Sequence, residues 1–409
     1  MKILLYGLNY APEITGIGKY SGQLGAWLNT KGHQVKVVTA PPYYPSWKIS
    51  EGYNNWFKRE TLKGVDVYRC PLYVPEQPTT FSRLLHLCSF VASSTWSLIT
   101  LIRWRPKIVI NVVPSLFSSF PAWLYCRITG AKFLIHVQDF ESDAMFSLSD
   151  NSNESVAKKI WSKIEQFILS RADAVSTISN AMMDNAISKG VVASKVLLFP
   201  NWSEVSLFQN VQNTDEFKIS LLGDREEKII LYSGNVGRKQ GLELVIECAK
   251  ISSTNDDQNL YVICGDGAGK KDLIGLTKKL NLTNVVFLPL QPYSDLPKLL
   301  AMADVHLVIQ KPDVANAVLP SKLTNIFSVG GHAVITTHDD TEIGRLIKKF
   351  PGIAIPVKPE DCKALLLGIE LASKEQKINN VAKNYAQTYL AKESVLNGFE
   401  ENFKEIISA

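Results

Sequence analysis

The sequence is poor in cysteine and lacks the cysteine spacings that bind metals. Its 409 residues include six cysteines, and no two of them form a Cys-x-x-Cys pair. A structural zinc site is therefore disfavoured, and scattered single cysteines are typical of a protein from a reducing compartment. The six are Cys70, Cys88, Cys126, Cys248, Cys264 and Cys362.

Long uncharged runs are scarce as well. The apolar run Ile3–Gly7 is too short for a signal peptide and predicts a buried strand, so we expect a cytoplasmic protein. One stretch, Leu84–Ile102, has nineteen residues without a charge, near the minimum for a spanning helix. Seven Ser, Thr and His residues make it only moderately apolar. Three interpretations stay open: a spanning helix, a buried helix, or a helix at a membrane surface.

The second half of the chain has almost no tryptophan and no excess of positive charge. All eight tryptophans lie between Trp27 and Trp202. Residues 1–200 hold 21 Lys and Arg against 13 Asp and Glu, whereas residues 201–409 hold 23 against 26. A basic half rich in tryptophan predicts a surface that meets an anionic or interfacial partner, with drift in surface composition as the alternative.

What is present is an alternation of short apolar, β-branched runs with longer amphipathic stretches. This pattern predicts an α/β fold of two doubly wound domains, each binding its ligand at the carboxyl ends of parallel strands. The predicted domains are residues 1–203 and 204–385, followed by a terminal helix over 386–409. Strands are predicted at Lys2–Gly7, Gln34–Ala40, Ile108–Pro114, Lys132–Asp139, Ala174–Ser179, Val196–Asn201, Lys228–Gly234, Leu260–Gly265, Val285–Leu290, Val305–Gln310, Ala333–Thr337 and Ile353–Val357.

Glycines follow the first predicted strand. Gly16 and Gly18 would let the backbone approach a ligand, and the next helix would offer its N-terminal N–H groups to an anion. The spacing is not G-x-G-x-x-G, since Ser21 stands where the third glycine belongs. A dinucleotide cofactor is therefore disfavoured, and a simple tight turn is the alternative.

Six motifs, in order along nearly the whole chain, resemble those of family 4 glycosyltransferases. They are Gly32–Thr39, His136–Asp139, Pro200–Trp202, Tyr232–Gly241, Cys264–Gly267, and Leu319–Leu323 followed by Gly330 and Gly331. The resemblance implies a GT-B fold, in which two Rossmann-like lobes face a cleft and the C-terminal helix crosses back to the first lobe. It also implies a first lobe that binds the acceptor and a second that binds the nucleotide sugar.

The activity implied by the resemblance is retaining transfer, with GDP-fucose as donor and a lipid-linked oligosaccharide of exopolysaccharide biosynthesis as acceptor. No cofactor, metal or nucleic acid is implied, and the first lobe is expected to contact the inner face of the inner membrane. A UDP-linked N-acetyl amino sugar as donor is one alternative. A non-catalytic protein that binds a nucleotide or sugar is the other.

The candidate site residues, some implied by the resemblance and some by the residues themselves, fall into three groups. The catalytic group is His136, Asp139, Arg238 and Lys322. The donor and diphosphate group is Gly16, Gly18, Gly234, Asn235, Gly237, Lys239, Gly265, Asp266, Gly267, Pro320, Ser321, Leu323 and Asn325. The acceptor group is Glu13, Tyr43, Tyr44, Trp47 and Glu141.

Simple chemistry agrees with these assignments. Cleavage of a nucleotide sugar leaves a diphosphate with growing charge, which preplaced cations stabilise most. Arg238, Lys239 and Lys322 are the cations expected there, with solvated surface positions as the alternative. The aromatic residues of the Pro41–Trp47 loop would stack on sugar rings or lie at lipid headgroups, unless they pack on their own lobe.

Two features of the sequence leave assignments open. Many family members carry two glutamates eight positions apart in the donor lobe, and Ala317 and Asn325 stand at those positions here. Asn325 could hydrogen-bond a ribose, but Ala317 cannot. The carboxylates Asp139, Glu141 and Asp143 could contact the acceptor, bind a divalent metal or form a solvated loop.

Overall fold

The computed structural model describes residues 1–13, 16–76, 79–113, 116–140, 156–237, 240–255, 258–311 and 321–408. The chain divides into two compact units. The first unit comprises Met1–Pro200 with Leu396–Ala409, and the second comprises Asn201–Val395. Each unit has its own β-sheet, as the alternating sequence pattern predicts.

The first unit contains an eight-stranded sheet in the order β3-β4-β2-β1-β5-β6-β7-β8. Neighbouring strands are parallel except β3, which runs antiparallel to β4. The six predicted strands are confirmed, while the β3–β4 hairpin was not predicted. The strands are β1 Lys2–Tyr6, β2 Gln34–Thr39, β3 Lys58–Leu62, β4 Val65–Arg69, β5 Ile108–Val113, β6 Lys132–Val137, β7 Ala174–Thr177 and β8 Val196–Leu198.

Helices cover both faces of this sheet. The described helices of this part are α1 Gly16–Thr30, α2 Thr80–Thr100, α3 Ser119–Thr129, α4 Val156–Ser170 and α5 Asn180–Ser188. The uncharged stretch around Leu84–Ile102 forms most of α2, which begins with a capping box between Thr79 and Ser82. Among the described residues, no helix has the length and hydropathy needed to cross a membrane.

The second unit contains a six-stranded parallel sheet in the order β11-β10-β9-β12-β13-β14. All six predicted strands are confirmed. The strands are β9 Lys228–Ser233, β10 Asn259–Cys264, β11 Val285–Leu288, β12 Val305–Val308, β13 Ala333–Thr336 and β14 Ile355–Val357. The strand order changes direction between β9 and β12, which is where such sheets bind ligands.

The helices of the second unit pack on both faces of that sheet. They are α6 Thr214–Leu222, α7 Glu243–Thr254, α8 Lys270–Lys279, α9 Leu296–Ala301, α10 Ser321–Val329, α11 Glu342–Lys349, α12 Cys362–Lys374 and α13 Asn380–Tyr385. Two cores result, one on each side of the sheet, and Leu231 and Tyr232 of β9 contribute to opposite ones.

The end of the chain differs from the predicted boundaries. A helix over 386–409 was predicted, but Ala386–Leu390 is a π-helical turn whose ends are buried in the second unit's core. The last helix, α14 Lys392–Ser408, enters the first unit only from Leu396 onward. There Phe399 stacks on Phe199 with ring centroids 3.6 Å apart. The separate helix therefore begins later than predicted, because Leu390 packs in the second unit.

Candidate active site

The loops after β9 and β10 pack directly on each other. The N–H of Gly234 donates to the carbonyl of Cys264 (3.0 Å), and the N–H of Val236 donates to the carbonyl of Asp266 (2.8 Å). A Cβ on Gly265 would lie 1.9 Å from the carbonyl oxygen of Gly234. Only glycine fits there, so the sequence keeps the two backbones in contact at the ligand-binding edge of the sheet.

The same two loops hold their polar groups in fixed positions. Asp266 accepts a hydrogen bond from the N–H of Gly267 (2.8 Å), so its carboxylate braces its own loop. Lys270 Nζ donates to the carbonyl of Gly265 (2.6 Å), and this hydrogen bond holds the loop after β10 in place. Within the described residues, the N–H groups of Asn235 and Gly237 have no hydrogen-bond partner. Two free N–H groups in a rigid loop can bind an anion.

Lys322 brings a cation to these loops. It lies in the first turn of α10, and its Nζ sits 4.1 Å from the centroid of the Tyr232 ring. The hydroxyl of Tyr232 donates to the carbonyl of Asn235 (2.7 Å), which ties the ring to the loop. Burial lowers the pKa of Lys322 to about 7. Burial is the sole cause of this shift and no described carboxylate pairs with Lys322, so an arriving anion would find the ammonium charge uncompensated.

Two other predicted residues of this helix have different surroundings. Leu323 is completely buried in the hydrophobic core, so its side chain faces away from a ligand, and its predicted donor contact could be made only by its backbone. Asn325 accepts a hydrogen bond from the hydroxyl of Ser203 (3.0 Å), which occupies its side-chain oxygen. Ser321 is the first residue of α10. The predicted contacts of Arg238, Lys239, Pro320 and Glu141 lie outside the described residues.

Sequence reasoning missed two glutamines that lie near the carboxyl end of strand β12. The side-chain oxygens of Gln240 and Gln310 are buried and have no hydrogen-bond partner among the described residues. Both side chains line a recess that also contains Glu243 and Lys311. An unpaired buried acceptor is costly, so a ligand hydroxyl or N–H donor would stabilise this recess. The only signal in the sequence was that Gln310 follows a strand closely.

In the first unit, the predicted acceptor residue Glu13 is buried and multiply hydrogen-bonded. Its carboxylate accepts from the N–H groups of Tyr43 and Tyr44, both at 3.1 Å, and from the amide of Asn9 (3.0 Å). Burial raises the pKa of Glu13 despite these donors. Glu13 therefore holds the aromatic loop in place, and its carboxylate is not presented to a ligand.

The position of Glu13 explains why residue 18 is a glycine. A Cβ at Gly18 would lie 2.3 Å from Glu13 Oε2, so the glycine makes room for the carboxylate. Gly16 begins α1 with φ +57°, a backbone conformation that favours glycine. Gly18 thus has a structural reason, and the predicted donor contacts of Gly16 and Gly18 stay predictions.

The three predicted aromatic residues of the acceptor loop differ in accessibility. Tyr43 is buried, and its hydroxyl is hydrogen-bonded to Nε2 of His86 (3.0 Å). Trp47 packs edge-on against the same tyrosine ring at 5.7 Å and is partly exposed. Tyr44 is 42% exposed. Of the three, Tyr44 and Trp47 can therefore reach a ligand, whereas Tyr43 packs on its own unit.

His136 lies at the carboxyl end of β6 but is completely enclosed. One ring nitrogen is hydrogen-bonded to the hydroxyl of Ser176 (2.9 Å), and the other accepts from the amide of Gln138 (2.8 Å). Burial lowers the pKa of His136 to about 3, so the ring is neutral. Its catalytic role stays a prediction that requires Gln138 to move away. Asp139 follows on the exposed side of the strand end.

Comparisons with known proteins cover the whole chain. Residues 15–202 match the model of a glycosyl transferase 4-like domain, and residues 213–389 match that of glycosyl transferases group 1. The colanic acid biosynthesis glycosyl transferase WcaI of Escherichia coli is 48% identical over 403 residues, which is 98% of both chains. The glycosyltransferase WbjE of Pseudomonas aeruginosa is 24% identical over 61% of both.

Solved structures agree on the fold. Sucrose-phosphate synthase from Thermosynechococcus elongatus covers 100% of this chain and 99% of its own, with a TM-score of 0.77 at 16% identity. The lipopolysaccharide glycosyltransferase WaaG covers 97% and 99%, with a TM-score of 0.66 at 14% identity. Together with the identity to WcaI, these matches establish that the chain belongs to the family 4 glycosyltransferases of the GT-B fold.

Proposed function

We propose that this glycosyltransferase moves a sugar from GDP-fucose to a lipid-linked oligosaccharide in the synthesis of an exopolysaccharide of the colanic acid type. The observation that carries the proposal is the 48% identity to WcaI along 98% of both chains. The glycine loops beside Lys322 support it, because they bring unpaired backbone N–H groups and a cation together at the edge of the second unit's sheet where we propose that the diphosphate binds.

The chemistry that we assign to the second unit is stabilisation of the leaving diphosphate. As the glycosidic bond breaks, negative charge grows on the diphosphate, and positioned cations and N–H groups lower that barrier. Lys322 and the N–H groups of Asn235 and Gly237 are the described groups for this role. A bound diphosphate raises the pKa of Lys322 above 7 and restores its full charge. Arg238 and Lys239 are proposed to add to this charge.

The first unit is proposed to bind the acceptor. Tyr44 and Trp47 would stack on a sugar ring, and Asp139 would receive a hydrogen bond or the proton of the attacking hydroxyl. Departure of the diphosphate and attack on the same face of the sugar would retain the anomeric configuration. Neither step requires a metal ion, because the cationic side chains hold the diphosphate.

The test is transfer from radiolabelled GDP-fucose to a lipid-linked oligosaccharide, with NMR of the product to determine its anomeric configuration. Labelled product with the donor's configuration supports the proposal. If product formed only from a UDP-linked N-acetyl amino sugar, that sugar nucleotide would be the donor, and the protein would still be a glycosyltransferase. If the folded protein bound GDP or UDP in calorimetry but transferred no sugar from any donor, it would be a non-catalytic binding protein.

A further inference from the structure

The second unit has a cavity of about 270 Å³ at the amino-terminal edge of its sheet. His306, the second residue of β12, lines it together with Val329 and Gly330 at the end of α10. Lys377 and Lys383, from the segment before α13 and from α13 itself, complete its polar wall. The glycine loops follow the carboxyl ends of β9 and β10, so they lie at the opposite edge of this parallel sheet. The cavity is therefore separate from the candidate active site.

His306 is buried without being satisfied. It is 1% exposed, and neither of its ring nitrogens has a hydrogen-bond partner among the described residues. Burial lowers the pKa of His306 to about 3, His332 lowers it further, and the backbone of Leu300 acts in the opposite direction. The ring is therefore neutral, with one N–H donor and one acceptor nitrogen. An unpaired buried donor or acceptor is costly, whereas a phenylalanine would fill the same space without that cost. The imidazole indicates a ligand that supplies a hydrogen bond.

The turn after α10 shows which way the ring faces. A Cβ on Gly331 would lie 2.5 Å from Nε2 of His306, so a larger residue at this position would displace the ring. Gly331 and the preceding Gly330 both line the cavity. The Nε2 edge of the ring therefore faces the part of the chain that forms the cavity wall.

Charge indicates which kind of ligand the cavity binds. Its lining includes Lys377 and Lys383, and no aspartate or glutamate is among the described residues that form it. Helix α6 begins on the cavity wall at Thr214, and no side chain caps its first N–H groups. The acidic residues of its first turn, Asp215 and Glu216, are exposed and do not line the cavity. Two cations and an uncapped helix N-terminus favour an anion.

The remaining walls indicate that the anion has an apolar body. They are mostly hydrophobic and include Phe208, Val211, Leu300, Ala301, Ala303 and Ile378. Burial of an apolar group against such walls adds to the binding free energy, which a bare inorganic ion does not gain. The volume lies just below the usual range for small-molecule pockets, so the fitting ligand is small.

We propose that this cavity is a second ligand site, which binds a small organic anion. The charged group of the anion binds Lys377 and Lys383, its body packs on the apolar walls, and a polar atom forms a hydrogen bond with His306. The inference goes beyond the proposed function, because the diphosphate of the donor is assigned to the other edge of the sheet. Lys322, which belongs to that edge, lies in the first turn of α10, whereas Val329 ends the helix in the cavity wall.

NMR of the histidine rings tests the proposal, with phenyl phosphate as the probe. The chain has six histidines, and labelling with ¹⁵N-histidine reports each imidazole separately. The His306→Phe variant identifies the signals of His306 by their loss. Phenyl phosphate should shift these signals and leave those of the enclosed His136 unchanged. Its affinity should exceed those of inorganic phosphate and of uncharged phenol, because each lacks one of the two features that the cavity recognises.

Two lysine variants test the charge. Lys377→Met with Lys383→Met should lower the affinity for phenyl phosphate about tenfold or more, because two charge-assisted contacts are lost. The matched control is Lys278→Met with Lys279→Met, which removes two exposed lysines of α8 and should change nothing. Lys322→Met should also leave the shift of the His306 signals intact, because it alters the other anion site. Calorimetry gives the affinities, and thermal melting checks that each variant is folded.

Each result supports or overturns the inference. A shift of the His306 signals that weakens in the Lys377 and Lys383 double variant, but not in the control, supports it. No shift at millimolar phenyl phosphate overturns it, and so does a shift that disappears in Lys322→Met, which would locate the anion at the glycine loops. Phenol that binds as tightly as phenyl phosphate would overturn the assignment of an anion. None of these measurements uses a sugar donor, so their results do not depend on the proposed function.

Discussion

The turns that follow the central strands of the two units are built in opposite ways. After β1, the carboxylate of Glu13 fills the turn and accepts hydrogen bonds from two neighbouring N–H groups. After β9, glycines take that place, and the carbonyl of Gly234 lies against the backbone of the next loop at Gly265. The first turn is closed by a side chain, whereas the second leaves space for a ligand.

The difference also appears in the charges. In the first unit, Arg69 is buried and paired with Glu60 (2.8 Å), and it donates to the carbonyl of Ala40 (3.0 Å). In the second unit, Lys322 has an aromatic ring beside it and no described carboxylate partner. A compensated buried charge stabilises structure, while an uncompensated one attracts an anion. The comparison therefore indicates a structural role for the first turn and supports the proposal that the second turn binds an anion.

The largest expected effect is on Lys322. Lys322→Met should lower kcat/KM for sugar transfer by about 100- to 1,000-fold, because one group that stabilises the leaving charge is lost. Its melting temperature should stay the same or rise, since a partly desolvated charge is removed. Steady-state kinetics and calorimetry measure both. Lys279→Met, an exposed lysine of α8, is the control, and equal activity in the two variants would contradict the assignment.

A smaller effect is expected for Glu13, and on stability. Glu13→Gln places an amide N–H₂ against backbone donors or leaves one of them unpaired, which should lower the free energy of unfolding by about 2 kcal/mol. Denaturant titration measures this, with the exposed Glu51→Gln as control. GDP affinity should not change. If stability were unaffected while KM for the acceptor rose, Glu13 would be a direct acceptor contact after all.

The pH dependence of nucleotide binding is expected to be moderate. In the free protein Lys322 loses its proton above a pKa of about 7, and a bound diphosphate favours the protonated form. Affinity should therefore be constant below pH 7 and fall up to about tenfold per pH unit above it, with proton uptake on binding. Calorimetry in buffers of different ionisation enthalpy measures the uptake. Lys322→Arg, whose guanidinium stays charged, should abolish this dependence.

The smallest effect on catalysis is expected for His136. His136→Asn should lower the free energy of unfolding by about 1 kcal/mol, because the bonds to Ser176 and Gln138 are disturbed. It should change kcat only a few-fold. Ser176→Ala, which removes one of these bonds and leaves the ring, is the matched control. A large loss of kcat in His136→Asn alone, with intact fold, would instead support the predicted catalytic role.

The sheets were predictable from the sequence, and the reason is local. Runs such as Ile108–Val113 are β-branched at every position except Asn111 and buried throughout, which strongly favours a strand inside a parallel sheet. The β3–β4 hairpin was missed because Lys58–Leu62 is mostly charged and polar, and its turn at Lys63 and Gly64 carries no Asn-Gly or Asp-Gly signal.

The site was predictable only where a motif fixes the backbone. The close backbone contact at Gly265 was predictable because no other residue fits there, whereas Leu323 was predicted with its motif although its side chain lies in the core. The surroundings of Glu13 and His136 could not be predicted. Their partners Tyr43 and Ser176 lie 30 and 40 residues away, and nothing in the sequence pairs them in advance.

The hairpin has a consequence for how the first unit behaves in water. Strand β3 forms an outer edge of the eight-stranded sheet, and unpaired edges invite aggregation with other chains. Lys58 and Arg59 place two cations there, held near Glu60 (3.2 Å) and Asp66 (3.1 Å) respectively. Strand-to-strand addition at this edge would bury these charges, so this edge of the first unit resists pairing with a strand of another chain.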